Sequence, residues 1–174
     1  MDSWPVIRWK HWPTCVESAV GVVGINIEDG TAAPDLLCKK IAAIRDRAAQ
    51  SGFDLFINAR TDVCLRGIAS GEAAIEEVIR RCSRYREAGC DGLFVPGLVA
   101  ADAMATISKA IAPMPLNIMV VPNLPSMDTL QKSGVRRLSA GSSLAQAALG
   151  RTSQLVSGFL AGTMGEMLDR KSVV

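Results

Sequence analysis

"VVGINIEDG", residues 22–30, is the stretch on which the reading of the fold turns. Its β-branched residues suit a buried strand. An Asn interrupts the run, however, and it ends on two adjacent carboxylates, Glu28 and Asp29, before breaking at Gly30. Such an ending is either a solvated strand end or one wall of an active site. Side chains alternate between the two faces of a strand. Here Val23, Ile25 and Ile27 fall on one face, and Gly24, Asn26 and Glu28 on the other.

The same split recurs further on. In "DLFINAR" (54–60) Leu55, Ile57 and Ala59 oppose Phe56, Asn58 and Arg60, and in "LNIMVV" (116–121) Leu116, Ile118 and Val120 oppose Asn117, Met119 and Val121. Two further runs, "GLFV" (92–95) and "RRLS" (136–139), complete a series of strand candidates. Between them lie amphipathic stretches. Leu37, Ile41, Ile44 and Ala48 mark one helical face, with Gly52 as its stop; Ile75, Val78, Ile79, Cys82 and Tyr85 mark another, with Ser70 as an N-cap and Gly89 as the stop. Shorter helices are predicted at about 100–111 and 126–133, and a long one from about 142.

Strand–helix alternation with such crossovers means parallel pairing, in a doubly wound sheet or a (β/α)8 barrel. A doubly wound sheet is usually apolar on both faces. A barrel strand packs its outer face on helices and turns polar groups toward the mouth. The recurring Asn parity favours the barrel. A full barrel takes ~250 residues, and this chain of 174 residues holds about five βα units. The fold class expected is therefore α/β, a partial (β/α)8 TIM-type barrel. The segment "PTCVESAVG" ahead of the first strand reads as the tail of a helix whose own strand is absent. Residues 1–13, which hold all three tryptophans (Trp4, Trp9, Trp12), are read as an irregular segment, 14–165 as the barrel domain and 166–174 as a tail.

Composition narrows the function. Hydrophobic residues make up 49% and charged ones 21%, and the net charge is +2, which gives no basis for a nucleic-acid surface or for disorder. No apolar run approaches the ~18 residues of a membrane span. The five cysteines form no C-x-x-C pair, and His11 is the one histidine, so zinc is not expected. An odd cysteine count without a secretory h-region points to reduced thiols and a cytoplasmic setting. Cys38 and Cys82 fall on apolar helical faces; Cys64 follows "ARTDV" with no nearby His to activate it.

Candidate chemistry gathers at the C-terminal strand ends, where α/β folds bind ligands. Glu28 and Arg60 share the inward parity. Together they are either an ion pair bracing adjacent strands or a site in which the carboxylate binds Mg2+ and the guanidinium holds an anionic oxygen. Asp29, of opposite parity, is read as capping the turn at Gly30, and Asp62 as accepting from loop backbone. Asn117 is the strand Asn read as contacting substrate. In "LSAGSSLAQAALG" (138–150), the Gly141–Ser143 turn opens a helix whose free N–H groups suit a carboxylate or phosphate, or its glycine serves only close packing.

"GINIEDG" (24–30), "LFINARTDV" (55–63), "GCDGLFVPGL" (89–98), "PLNIMVVP" (115–122) and "GVRRLSAGSSLAQAALG" (134–150) together resemble the isocitrate lyase / phosphoenolpyruvate mutase superfamily. Its small members related to carboxyphosphonoenolpyruvate mutase and oxaloacetate decarboxylase are the most similar group. The resemblance covers roughly residues 14–165 and implies strands 4–8 of the family barrel. It further implies a Mg2+-dependent lyase, decarboxylase or mutase that acts on a C–C or P–C bond of a small 2-oxo acid through an enolate. By position, Glu28 is similar to the metal-site glutamate acting through water, Arg60 to the catalytic arginine and Asn117 to a substrate-binding residue. Gly141 and Ser142 would lie near the substrate carboxylate. The family's other metal carboxylates fall on strands not matched here, so the alternative is a truncated, catalytically impaired member that keeps scaffold and oligomer surfaces. The resemblance also implies a homo-oligomer assembled through the C-terminal helix, 152–170, with neither nucleic acid nor membrane as partner.

Overall fold

The computed structural model describes residues 23–168, so the expectations for residues 1–13 and for "PTCVESAVG" (13–21) lie outside the described residues. Five strands form one sheet: β1 (Gly24–Glu28), β2 (Phe56–Arg60), β3 (Gly92–Val95), β4 (Leu116–Met119) and β5 (Val135–Ser139). The strand ends fall within two residues of the runs read from sequence. Six helices accompany them among the described residues: α1 (Pro34–Gln50), α2 (Gly71–Glu87), α3 (Ala101–Ile111), α4 (Met127–Lys132), α5 (Ser143–Leu160) and α6 (Gly165–Leu168).

All pairings are parallel and the strand order is β1-β2-β3-β4-β5, the order of the chain. That order settles which architecture is present. A doubly wound sheet needs a reversal of strand order, which moves later helices to the other face. Without a reversal, right-handed crossovers keep every helix on one face. The sheet is thus a barrel wall, with β1 and β5 as its edges among the described residues.

The aliphatic parity meets the helices. Ile57, Ala59, Leu93, Val95, Leu116, Ile118 and Val135 are buried in one cluster with Leu37 and Ile41 of α1, Val78, Cys82 and Tyr85 of α2, Met104 and Ile107 of α3, and Leu130 of α4. Burying each large aliphatic contributes roughly 1.5–3 kcal/mol relative to exposure. Strand β5 departs from simple alternation. Leu116 pairs with Val135 but Asn117 with Arg137, so Arg136 is an extra residue at a bulge. The bulge lets both Val135 and Leu138 face the helices and turns Arg137 and Ser139 inward. Gly134, just before β5, has φ +82°, and a Cβ there would come within 2.1 Å of Ser108 Oγ. Only glycine fits both constraints.

At the opposite end from the strand C-termini, Arg45 of α1 ties two strands together. Its Nη1 donates to Leu55 O (2.9 Å), Nε and Nη2 donate to Gly89 O (3.1 and 2.8 Å), and Nη2 pairs with Asp91. Asp91 in turn accepts from Ile57 N at 2.7 Å. Several charge-assisted bonds fail together in Arg45→Ala, and a loss of about 2–3 kcal/mol in urea unfolding is expected. A change below about 0.5 kcal/mol, the range of an ordinary surface substitution, would contradict that role.

Capping follows the sequence in part. Ser126 accepts from Thr129 N and caps α4. Ser70 is the N-cap residue of α2, as expected, with an extended backbone and no side-chain cap bond. Helix α5 has no buried residue among the described ones, and Leu144, Leu149 and Leu160 are 75, 70 and 79% exposed. Its apolar side chains therefore have no counterpart in the barrel wall.

Candidate active site at the strand C-terminal edge

Strand register places Glu28 beside Arg60 and Arg60 beside Phe94. Arg60 Nη1 lies 2.9 Å from Glu28 Oε2. Its Nε and Nη2 donate to Asp62 Oδ1 and Oδ2 at 2.7 and 3.2 Å. The guanidinium also sits 5.8 Å from the Phe94 ring centroid. Burial works against its charge, but the hydrogen bond to Asp62 and the charges of Asp62, Glu28 and Asp29 outweigh it and raise the pKa. The sequence reading paired Arg60 with Glu28, and the structure adds Asp62. This corrects the expectation that Asp62 accepts from loop backbone. Its side chain is fully buried and receives guanidinium groups, with Arg66 Nε 3.5 Å away on the other side.

Asp29 needs a larger correction. The turn at Gly30 closes through backbone, with Ala32 N donating to Asp29 O at 3.0 Å. The Asp29 side chain is fully buried. Its Oδ2 accepts from Arg81 Nη1 (2.7 Å), Tyr85 Oη (2.5 Å) and Thr61 Oγ1 (2.8 Å), and Oδ1 accepts from Asp62 N (3.0 Å). Parity explains the arrangement. Opposite in sense to Glu28, Asp29 points to the helix side, where α2 presents Arg81 and Tyr85 one turn apart.

Arg81 is held at its other edge by Glu77, whose Oε1 accepts from Nε at 2.6 Å. The Arg80 hydrogen bond, with Arg81 assisting against burial, lowers the Glu77 carboxyl to about 2. Burial disfavours the Arg81 charge, yet the bonds to Glu77 and Asp29 push its pKa up. Burial and then the bond to Asp29 push Tyr85 up. None of Arg81, Tyr85, Thr61 and Glu77 was singled out from sequence as part of the site. The available signal was that the chain's one tyrosine stands four residues after an arginine on the buried side of a helix.

Further along the edge, Asn117 is 1% exposed. Its Nδ2 donates to Ser139 Oγ at 3.0 Å, and Ser139 Oγ lies 3.2 Å from Asn117 Oδ1. Gly141, at φ +58°, opens the turn into α5. Ser143 N donates to Ala140 O, and Ser142 Oγ accepts from Gln146 Nε2. On the inner face Asn58 Nδ2 donates to Asn26 Oδ1 at 2.8 Å. Arg137 lies 4.9 Å from the Phe56 ring centroid, and burial lowers its pKa. Burial also raises the thiols of Cys64, Cys82 (to about 11) and Cys90 (to about 12), so they are protonated at neutral pH and poor nucleophiles.

A barrel wall with its polar groups at the strand C-termini defines an α/β-barrel protein with a candidate ligand site at that edge. The sequence model of phosphoenolpyruvate phosphomutase matches residues 14–160, and the chain belongs to this family. An uncharacterised protein of Mycobacterium tuberculosis (strain H37Rv) is 39% identical over 128 residues, covering 71% of this chain and 46% of that protein. The oxaloacetate decarboxylase of Pseudomonas entomophila (strain L48) is 32% identical over 127 residues, covering 67% and 42%. Among solved structures, a candidate phosphonomutase from Burkholderia cenocepacia J2315 is 33% identical with a TM-score of 0.74, covering 82% of this chain and 60% of that one. A 2,3-dimethylmalate lyase of the PEP mutase/isocitrate lyase superfamily shares the fold at a TM-score of 0.72 and 23% identity, covering 87% and 52%. The chain spans about half the length of the curated relatives it matches.

Among the described residues no group of three or more His, Cys, Asp or Glu side chains could hold a metal ion. Asp29 and Asp62 are enclosed by donors, leaving Glu28, 53% exposed at its side chain, as the carboxylate at the mouth. One carboxylate is not a magnesium site, so these residues alone do not fit the ion. No helix among the described residues is long and apolar enough to cross a membrane.

Proposed function

We propose that this chain contributes the anion-binding arginine to a lyase, decarboxylase or mutase that makes or breaks a C–C or P–C bond of a small 2-oxo acid through an enolate. One observation carries the reading. Arg60 stands at the strand edge with its guanidinium fixed by buried Asp62 and by Glu28. Asp62 takes two of its five N–H groups and Glu28 a third, so one N–H on each of Nη1 and Nη2 remains for an anionic oxygen. A fixed guanidinium stabilises charge that develops on an enolate or carboxylate oxygen without reorganising during the reaction. Relatives named phosphonomutase and oxaloacetate decarboxylase support the reaction class. Asn117, Gly141 and Ser142 are assigned to the substrate in this reading. Glu28 shares the mouth with Arg60 in this reading, and no step is assigned to a metal ion, which the described residues do not fit.

Titration calorimetry with oxalate, an enolate mimic, with and without Mg2+, tests the proposal. Binding is expected, and Arg60→Lys should weaken it about tenfold by losing the planar fork. No heat in either condition would overturn the reading. It would leave the second one, an impaired member keeping scaffold and assembly surfaces, which the scarcity of outward carboxylates favours.

The exposed side chains of α5 further motivate a proposed homo-oligomer in which this helix packs on a second copy. Light scattering is expected to give at least a dimer mass, and Leu149→Glu to shift it to the monomer. A wild-type monomer would count against the interface.

A further inference from the structure

We infer that Asp29 is a positioning residue: through Asp62 it sets the orientation of the Arg60 guanidinium, and Arg81, Tyr85 and Thr61 fix Asp29 in turn. The inference rests on the reading of Arg60 as the anion-binding group, and it extends the site by a layer that reaches helix α2.

The connections are continuous. Asp29 Oδ1 accepts from Asp62 N (3.0 Å), which fixes the peptide from which the Asp62 side chain departs. Thr61, the residue between Arg60 and Asp62, is anchored to Oδ2 of the same carboxylate through its hydroxyl. The two residues after Arg60 are thus held by one buried group. Asp62 then grips Arg60 at Nε and Nη2, two bonds that fix the guanidinium plane. At the far side, Arg81 and Tyr85 supply two further donors to Asp29 Oδ2. Arg81 also reaches Ala32 O at 3.3 Å, so the β1–α1 loop is fixed by the same side chain.

Any buried carboxylate needs donors; the direction in which these lie is what marks a positioning role. Four donors converge on one buried carboxylate, and all of its acceptor capacity is directed to the segment carrying Arg60 and to the helix behind it. Such supporting partners hold a catalytic group within the narrow range of orientations that binding demands. The consequence is that the direction of the Arg60 donors depends on a residue that does not face the ligand side of the sheet.

Arginine Nε–Hε resonances in 15N-labelled protein read this directly. Arg60 Nε–H, bonded to Asp62, gives a sharp, slowly exchanging peak, assigned by its loss in Arg60→Lys. Arg45 Nε–H, bonded to Gly89 O, serves as an internal reference for the fold. In Asp29→Asn the Arg60 peak is expected to shift or broaden beyond detection while the Arg45 peak stays. An unmoved Arg60 peak in that variant overturns the inference. If Asp29→Asn loses the Arg45 peak as well, Tyr85→Phe decides: a shifted Arg60 peak with an intact Arg45 peak supports the role, and two unmoved peaks overturn it. Oxalate affinity should fall about tenfold in whichever variant moves the Arg60 peak. Failure of oxalate to bind the parent protein would overturn the proposed function and leave the spectra to judge the positioning role separately.

Discussion

Asp29→Ala is expected to lower the unfolding free energy by about 3–5 kcal/mol, the range for breaking a buried ion pair by removing one partner. The reasoning rests on what is left behind. The Arg81 side chain is 6% exposed and that of Asp29 fully buried, so water cannot replace the lost carboxylate without opening the packing of α2 on the sheet. Tyr85 Oη and Thr61 Oγ1 lose their acceptor in the same substitution. Domains of this size have total stabilities of roughly 5–15 kcal/mol, so the variant would unfold at much lower urea. The check is a shift in urea midpoint with an unchanged slope. Tyr85→Phe keeps the ring and removes one bond, and should lose only about 1 kcal/mol. A loss below 1 kcal/mol for Asp29→Ala would show that the carboxylate is a bystander.

On the proposed function, Arg60→Ala is expected to reduce turnover on the order of 100- to 1,000-fold, as removal of a preorganised donor does elsewhere. From sequence alone one expects that loss with little effect on the fold. The structure revises the second half of that expectation. Asp62 is fully buried and, among the described residues, would retain Arg66 alone as a side-chain cation, 3.5 Å away on a side chain 57% exposed. A stability loss of about 2 kcal/mol should accompany the loss of activity. Glu28, half-exposed, returns to water and adds little. Arg60→Lys separates the effects because it keeps a cation near Asp62 but cannot serve the carboxylate and an anion with one planar fork. Steady-state rates beside thermal melts give both quantities; undiminished turnover in Arg60→Ala would remove Arg60 from the chemistry.

The strands were legible because burial on one face and polarity on the other leave a period of two in "INIE", "INAR" and "LNIM". The Glu28–Arg60 pairing followed from that same period. What remained hidden depended on long-range encounter. Asp29 looked like a turn residue because its parity excluded it from the mouth, and that parity carried it to Arg81 and Tyr85, more than fifty residues along the chain. Nothing local to "EDG" records such a meeting. The same holds for Arg45 and Asp91, whose bonds join α1 to the start of β3. The bulge at Arg136 was invisible because a one-residue insertion leaves the composition of "VRRLS" unchanged. Helix α5 was legible as a helix, since its propensity is local, while its lack of a counterpart in the sheet depends on where the preceding turn sends it.

Because each strand lies beside its predecessor in sequence, the sheet can be laid down in the order in which it is translated. When β2 emerges from the ribosome, β1 already offers the edge it needs, and β3 then finds β2. Each closure spans one helix and its loops, so the entropic cost of each step is similar and none waits for a distant segment. Units can be gained or lost at either edge over evolutionary time without rewriting the pairing of those between.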